Sequence, residues 1–224
     1  MSAVLSEAAL PCRNHHYTFR RATRSDAPAC SDLIFSSGPK EFAYLFNDTD
    51  ERCVAFLEYA FAMRFGRFSY RHHHVAVRND GQICATLATH TRIQLWLGDI
   101  VFAGQLLRRY GVAASARILV RGHVLSSTLA RPNRGEVLIS HCATHVAVRS
   151  RGIFRRLFRH VTTARLCAGK AWLNVLDSNI DARRLYVRLG FADAPKSPRR
   201  SRNLPASLNT RSMYWRACPQ ENAS

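Results

Sequence analysis

The sequence is short of lysine, of acid and of long apolar runs. Of its 33 basic side chains only Lys40, Lys170 and Lys196 are lysine, and 15 Asp and Glu oppose them, a formal charge of +18. No stretch reaches the roughly 18–20 consecutive apolar residues of a bilayer-spanning helix, so no membrane segment is expected. The seven cysteines (12, 30, 53, 84, 142, 167 and 218) are odd in number and contain no C-x-x-C pair. That scatter excludes a disulfide framework and a zinc ribbon, and it points to a reducing cytoplasm. The first ten residues hold Glu7 and no base, unlike the charged start of a secretory signal. Residues 1–16 therefore read as a flexible leader, 17–217 as one domain and 218–224 as a tail.

What is present is the composition of a folded chain. Hydrophobic residues make up 47% of the 224 and charged residues 21%, which excludes a largely disordered protein. The positive charge is unevenly placed. Residues 1–148 hold 17 basic and 11 acidic side chains, a net of +6, whereas residues 149–224 hold 16 and 4, a net of +12. An Arg-rich coding bias accounts for part of the total but not for the asymmetry. The basic final third calls for an anionic partner: nucleic acid, a phosphorylated cofactor or an acidic surface.

Element signals alternate along the chain. Tyr17–Ala22 reads as a strand, with Ser25-Asp26 capping a helix to about Phe35. A helical stretch follows from Glu41 to about Met63, interrupted at Asn47–Asp50. Tyr70–Arg78 and Gln82–Thr91 flank Asn79-Asp80-Gly81, a hairpin signal. Segment 92–130 has apolar residues at helical spacing and divides at Gly111. Glu136–Val148 reads as a strand, Gly152–Ala168 as a helix, Ala171–Leu176 as a strand and Asn179–Leu189 as a helix. Phe191–Ala194 and Ser212–Arg216 close the chain around a basic loop at 195–210. The pattern predicts an α/β fold with a mixed central sheet flanked by helices. The 92–130 segment reads as a helical insertion between the third and fourth strands. The run His72-His73-His74 suggests metal at first sight, but consecutive strand residues point to opposite faces, and no metal site is expected.

Two stretches carry chemistry. Val148-Arg149-Ser150-Arg151-Gly152-Ile153-Phe154 joins a strand to a helix, and its glycine permits close backbone approach. The new helix presents unpaired N–H groups and a positive dipole to an anion. The second stretch runs Asn179-Ile180-Asp181-Ala182-Arg183-Arg184-Leu185-Tyr186-Val187-Arg188-Leu189-Gly190-Phe191. It resembles the GNAT superfamily of acyl-CoA-dependent N-acyltransferases, whose later motif is Asn-x-x-Ala-x-x-Leu-Tyr-x-x-x-Gly-Phe. Asn179, Ala182, Leu185, Tyr186, Gly190 and Phe191 each match. The earlier junction is similar to that family's pyrophosphate loop through Arg149 and Gly152, and it departs at Phe154, where a small residue is usual.

The resemblance implies a single GNAT-like domain that moves an acetyl group from acetyl-CoA to a primary amine by direct transfer. It implies backbone contacts to the pantetheine arm from Cys142, Ala143 and Thr144. Pyrophosphate contacts would come from Arg149, Ser150, Arg151, Gly152, Ile153 and Phe154, with a polar contact from Asn179. Tyr186 is implied as the acid that protonates the leaving thiolate. Amine attack also needs a proton acceptor. Glu136, at the start of the fourth strand, is the first candidate, and His141, His145 and His90 are alternatives. A cytoplasmic monomer or homodimer with no membrane partner is expected. The alternative reading is a basic nucleic-acid-binding protein, tRNA- or ribosome-associated, with or without acetyltransferase activity, using Arg199-Arg200-Ser201-Arg202 and the Arg-rich third helix.

Overall fold

The computed structural model describes residues 16–165, 169–195 and 201–216. The leader, apart from His16, the tail, and Arg199 and Arg200 lie outside the described residues.

Strand β1 (Tyr17–Arg21) leads into helix α1 (Ala27–Ser36). The turn between them closes on Asp26, whose carboxylate accepts from the Thr23 amide at 2.7 Å and from both terminal nitrogens of Arg20 at 2.7 and 2.9 Å. Helices α2 (Pro39–Phe46) and α3 (Asp50–Ala62) follow. They are separated as expected at Asn47, whose left-handed backbone (φ 50°) ends α2, and Thr49 then caps α3. Strands β2 (His73–Arg78) and β3 (Ile83–Thr91) form the expected hairpin. Its turn holds Arg78 by a bond from its amide to the Gln82 carbonyl at 2.9 Å.

The 92–130 segment is helix α4 (Arg92–Ser127), broken at Gly111 (φ 72°, ψ 178°). Strand β4 (Glu136–Thr144), helix α5 (Ile153–Arg165), strand β5 (Lys170–Leu176), helix α6 (Ile180–Arg188), and strands β6 (Ala192–Asp193) and β7 (Thr210–Arg216) complete the chain. The seven strands are ordered β1-β2-β3-β4-β5-β7-β6, and every neighbouring pair is antiparallel except β4–β5.

Two expected strands are shorter in the fold by three residues or more. The one from Tyr70 begins at His73, because Ser69 accepts from the Arg71 amide and starts a 3-10 turn at Tyr70–His72. The one to Val148 ends at Thr144. There the His145 amide donates to the Cys84 carbonyl at 2.8 Å, and the His145 ring accepts from the Ala147 amide, turning the chain into a 3-10 segment.

Each face of the sheet has its own core. Phe42, Phe46, Phe56, Phe61, Phe68 and Phe102 bring α2, α3 and α4 against one face. Leu87, Ile139, Leu157, Val161, Leu173, Phe191 and Met213 seat α5 and α6 on the other. Burial of each of these side chains stabilises the fold by about 1.5–3 kcal/mol. Among the described residues no helix is long and apolar enough to cross a membrane.

Candidate active site

Strands β4 and β5 pair in parallel only at Glu136–Lys170, Val137–Ala171 and Leu138–Trp172. Farther along, β4 stays on β3 through Thr144 and β5 stays on β7 through Leu176. The two central strands therefore part while each remains a strand. Their facing N–H and C=O groups are left for another extended chain.

A bulge sits on β4 within this parting. Ala88 faces Ser140 and Thr86 faces Ala143, so His141 and Cys142 together oppose the single residue Leu87. His141 adopts φ 51°, a left-handed conformation that disfavours a side chain by roughly 1–2 kcal/mol. Its ring is held between neighbours, stacked on Phe68 at 5.0 Å and lying near-coplanar with His73 at 5.2 Å.

Beyond β4 the chain reaches the loop singled out in the sequence. Arg149 donates from Nε to the Thr144 carbonyl at 3.2 Å, folding its side chain back along the strand. Ser150 (φ 62°) and Gly152 (φ 71°) both take left-handed backbone. Helix α5 then begins, with the Arg156 amide bonded to the Gly152 carbonyl at 3.1 Å. The amides of Ile153, Phe154 and Arg155 precede any intrahelical acceptor and carry the helix's positive end. Phe154 stands where a small residue was expected. Its ring turns into the core beside Ile153 and Leu157, 6% exposed, which leaves its backbone free at the loop.

Helix α6 places the tyrosine. Asn179 caps it, accepting from the Ala182 amide at 3.1 Å. The helix ends through Gly190 (φ 91°), with Phe191 donating its amide to the Tyr186 carbonyl at 3.0 Å. Tyr186 is buried with its ring edge-on to Phe191. Its hydroxyl lies close enough to the Cys142 thiol for each to shift the other's titration, and that thiol donates to the Ser140 carbonyl at 3.7 Å. Burial, with Cys142 adding to it, holds the Tyr186 hydroxyl well above its ordinary range. Burial pushes the Cys142 thiol up to about 12, with nearby Tyr186 acting in the opposite direction. Both groups keep their protons at neutral pH.

The structure thus brings Cys142, Ala143, Thr144, the 149–154 loop and Tyr186 to one parting of the sheet. Glu136 is elsewhere. It lies six residues back along β4, roughly 20 Å at about 3.3 Å per residue, where the strands are still paired. Its Oε2 accepts from Trp172 Nε1 at 2.7 Å, the Asn133 amide at 2.8 Å and Asn133 Nδ2 at 3.0 Å.

A second cluster gathers on the other side of the bulge. His73 Nδ1 bonds the Ser69 carbonyl at 2.9 Å and His73 Nε2 bonds His141 Nδ1 at 3.0 Å. His90 meets His141 edge-on at 6.0 Å and His72 at 4.8 Å, and both its ring nitrogens are buried without a partner among the described residues. Burial, then neighbouring histidines and Arg67, hold His90 well below its ordinary range. Burial takes His73 down to about 3. No group of three or more His, Cys, Asp and Glu among the described residues is arranged to hold a metal ion. Sequence spacing gave no hint of this array, because His73 and His141 come from strands separated by the whole of α4. The positive φ at His141 is equally silent in sequence, since glycine is the residue that usually signals one.

Basic surface also collects away from the parting. A cleft of about 340 Å³ is lined by Arg52, Arg109, Arg117 and Arg121 together with Asp48 and Tyr110. Asp48 pairs with Arg52 at 3.3 Å.

Comparison with known proteins agrees with the fold. Three solved structures superpose over most of this chain and nearly all of their own. They are an acetyltransferase (18% identity, TM-score 0.64, covering 89% of this chain and 98% of its own), an N-acetyltransferase from Staphylococcus aureus Mu50 (17%, 0.64, 88% and 99%) and a histone acetyltransferase HPA2 and related acetyltransferase from Corynebacterium glutamicum (19%, 0.57, 91% and 98%). No curated relative matches the sequence. The model of the acetyltransferase (GNAT) family matches residues 20–191. With that match spanning the parted strands, the arginine loop and the tyrosine helix, the chain belongs to the GNAT family of acetyltransferases, which use acetyl-CoA as co-substrate.

Proposed function

We propose that this enzyme acetylates a primary amine by direct transfer from acetyl-CoA, with no acetylated enzyme on the way. The observation that carries the reading is the buried Tyr186 side chain, set on α6 with its hydroxyl beside Cys142 at the parting of β4 and β5. A thioester sulfur lying in that parting comes near the same hydroxyl, so Tyr186 is suited to protonate a leaving thiolate. Extended groups on Cys142, Ala143 and Thr144 suit the pantetheine arm. The amides of 152–154, with Arg149, Ser150 and Arg151 around them, suit the pyrophosphate. Asn179 stands at the start of the tyrosine helix as a further polar contact. Cys142 keeps its proton and is a poor nucleophile, which favours direct transfer over an acyl-cysteine. Glu136 is engaged by Trp172 and Asn133, which favours a proton acceptor other than Glu136. Calorimetric titration with CoA, followed by acetyl-CoA turnover across amino acids, aminoglycosides, peptides and aminoacyl-tRNA, tests the reading. Absence of CoA binding by the folded protein overturns it.

A second reading, nucleic-acid binding, draws support from the cleft that gathers Arg52, Arg109, Arg117 and Arg121 around one acid. A mobility shift with tRNA that weakens steeply with salt supports it. No shift at low salt rejects it.

A further inference from the structure

We propose that His141 is the general base of acetyl transfer and that His73 is the positioning residue that fixes its tautomer; this rests on the acetyl-transfer reading above. The hydrogen-bond chain sets the argument. The Ser69 carbonyl only accepts, so the His73 nitrogen 2.9 Å from it, Nδ1, carries the hydrogen. Neutral His73 then has its lone pair on Nε2. That nitrogen lies 3.0 Å from His141 Nδ1, which must be the donor. The lone pair of His141 is left on Nε2, outside the chain. A carbonyl orders one imidazole and that imidazole orders the next, as a carboxylate orders the histidine of a serine hydrolase.

Position agrees with this role. His73 and His90 are fully enclosed, whereas His141 is half-buried. His141 immediately precedes Cys142, beside whose thiol the Tyr186 hydroxyl lies. The bulge therefore puts a base and an acid on either side of one strand, within a single residue of each other. Its left-handed backbone is stored strain of the kind found at functional sites. The Phe68 stack holds the ring in place.

The surroundings keep His141 neutral between turnovers. His73 faces it from β2, His72 from the turn before β2, His90 from β3, and Arg67 from the loop ahead of that turn, itself paired with Asp99 at 3.1 Å. Burial is the largest of these influences, and His73, Arg67 and His72 add to it in the same direction.

The step balances. The amine nitrogen forms a bond to the thioester carbonyl carbon, the carbonyl pair moves onto oxygen, and one N–H proton passes to His141 Nε2. The oxygen pair then re-forms the carbonyl, the C–S bond breaks, and the sulfur takes the Tyr186 hydroxyl proton. Exchange with water returns one proton to Tyr186 and removes one from His141. The sum is amine plus acetyl thioester giving amide plus thiol.

The test uses the full-length protein, acetyl-CoA and hydroxylamine as a small neutral amine. His141→Gln should bind CoA like the wild type, lose about 10²–10⁴-fold in kcat, and lose the acidic limb of its pH–rate profile. His73→Ala should lower kcat and shift that limb. His73→Gln, whose amide oxygen can accept from His141 Nδ1, should restore much of the loss. Wild-type kinetics in His141→Gln across the pH range overturn the proposal. Nitrogen-15 imidazole spectra of the wild-type protein decide the matter even if the variants misfold. His141 should be protonated on Nδ1 and bare on Nε2 at neutral pH, and the opposite tautomer overturns the proposal. Wild-type protein that fails to bind CoA fails the acetyl-transfer reading instead, so the two failures are distinct.

Discussion

Trp172 donates its indole N–H to Glu136 at 2.7 Å, tying β5 to β4 at the last place where the two strands are paired. The same oxygen holds Asn133 in the turn ahead of β4. Glu136→Ala should therefore lower stability by about 1–3 kcal/mol, chiefly the loss of the charge-assisted bond to the partly buried Trp172 indole, and leave kcat close to wild type. A chemical-denaturation curve and a turnover assay check both halves. A collapse of kcat at unchanged CoA affinity returns Glu136 to the role of base.

Tyr186→Phe keeps the ring against Phe191 and removes only the hydroxyl. We expect kcat to fall about 10²-fold or more, as for loss of a general acid, with CoA affinity little changed in calorimetry. Wild-type protein incubated with acetyl-CoA alone should remain unacetylated at Cys142 by mass spectrometry, because that thiol is pushed up to about 12. An acetyl-cysteine there contradicts direct transfer.

Gly152→Ala separates conformation from crowding. A Cβ at this position meets only the end of the Arg155 side chain, at 3.8 Å, yet the backbone stands at φ 71°. The substitution should cost about 1–2 kcal/mol in stability and weaken CoA binding as the loop relaxes. Thermal melts and calorimetry read the two effects, and an unchanged CoA affinity argues against this loop as the pyrophosphate site.

Buried histidines should make the fold acid-labile. His73 is taken down to about 3 and His74 to about 4, burial being the main cause in each case. The unfolded chain titrates these rings near 6.5, so between that value and about 4 it binds protons that the folded protein does not. Stability must then fall as pH falls through this window, by about 1.4 kcal/mol per pH unit for each such histidine. Denaturation midpoints measured from pH 7 to pH 4 check the slope. A flat profile means that the rings are charged in the fold.

Much of this was readable in advance. Asn79-Asp80-Gly81 marked the hairpin, Gly111 the break in α4, and Asn179 to Phe191 the tyrosine helix with both of its caps. Each is local, fixed by turn chemistry or by a repeat of 3.6 residues, and local signals survive in a single sequence. The histidine pair is not local. Nothing near His73 or His141 encodes a contact between strands 68 positions apart, and the bulge that aims His141 depends on a backbone angle its side chain does not advertise. Glu136 was placed correctly at the head of β4, but its partner Trp172 comes from the next strand, and that pairing decides what its carboxylate does. The start of β2 and the end of β4 were set by single bonds, the Arg71 amide to Ser69 and the His145 amide to Cys84, which no pattern of hydrophobicity contains.

The parting of β4 from β5 has a consequence for how the protein survives in a crowded solution. Unpaired strand edges normally lie at the rim of a sheet, where another chain can add to them and start aggregation. Here two such edges are turned inward, between strands that are anchored on β3 and β7. The free edges of β4 and β5 thus face one another, unlike the outer edges of β1 and β6, which have no strand opposite them among the described residues. A chain adding to either inner edge has to fit between two strands rather than beside one.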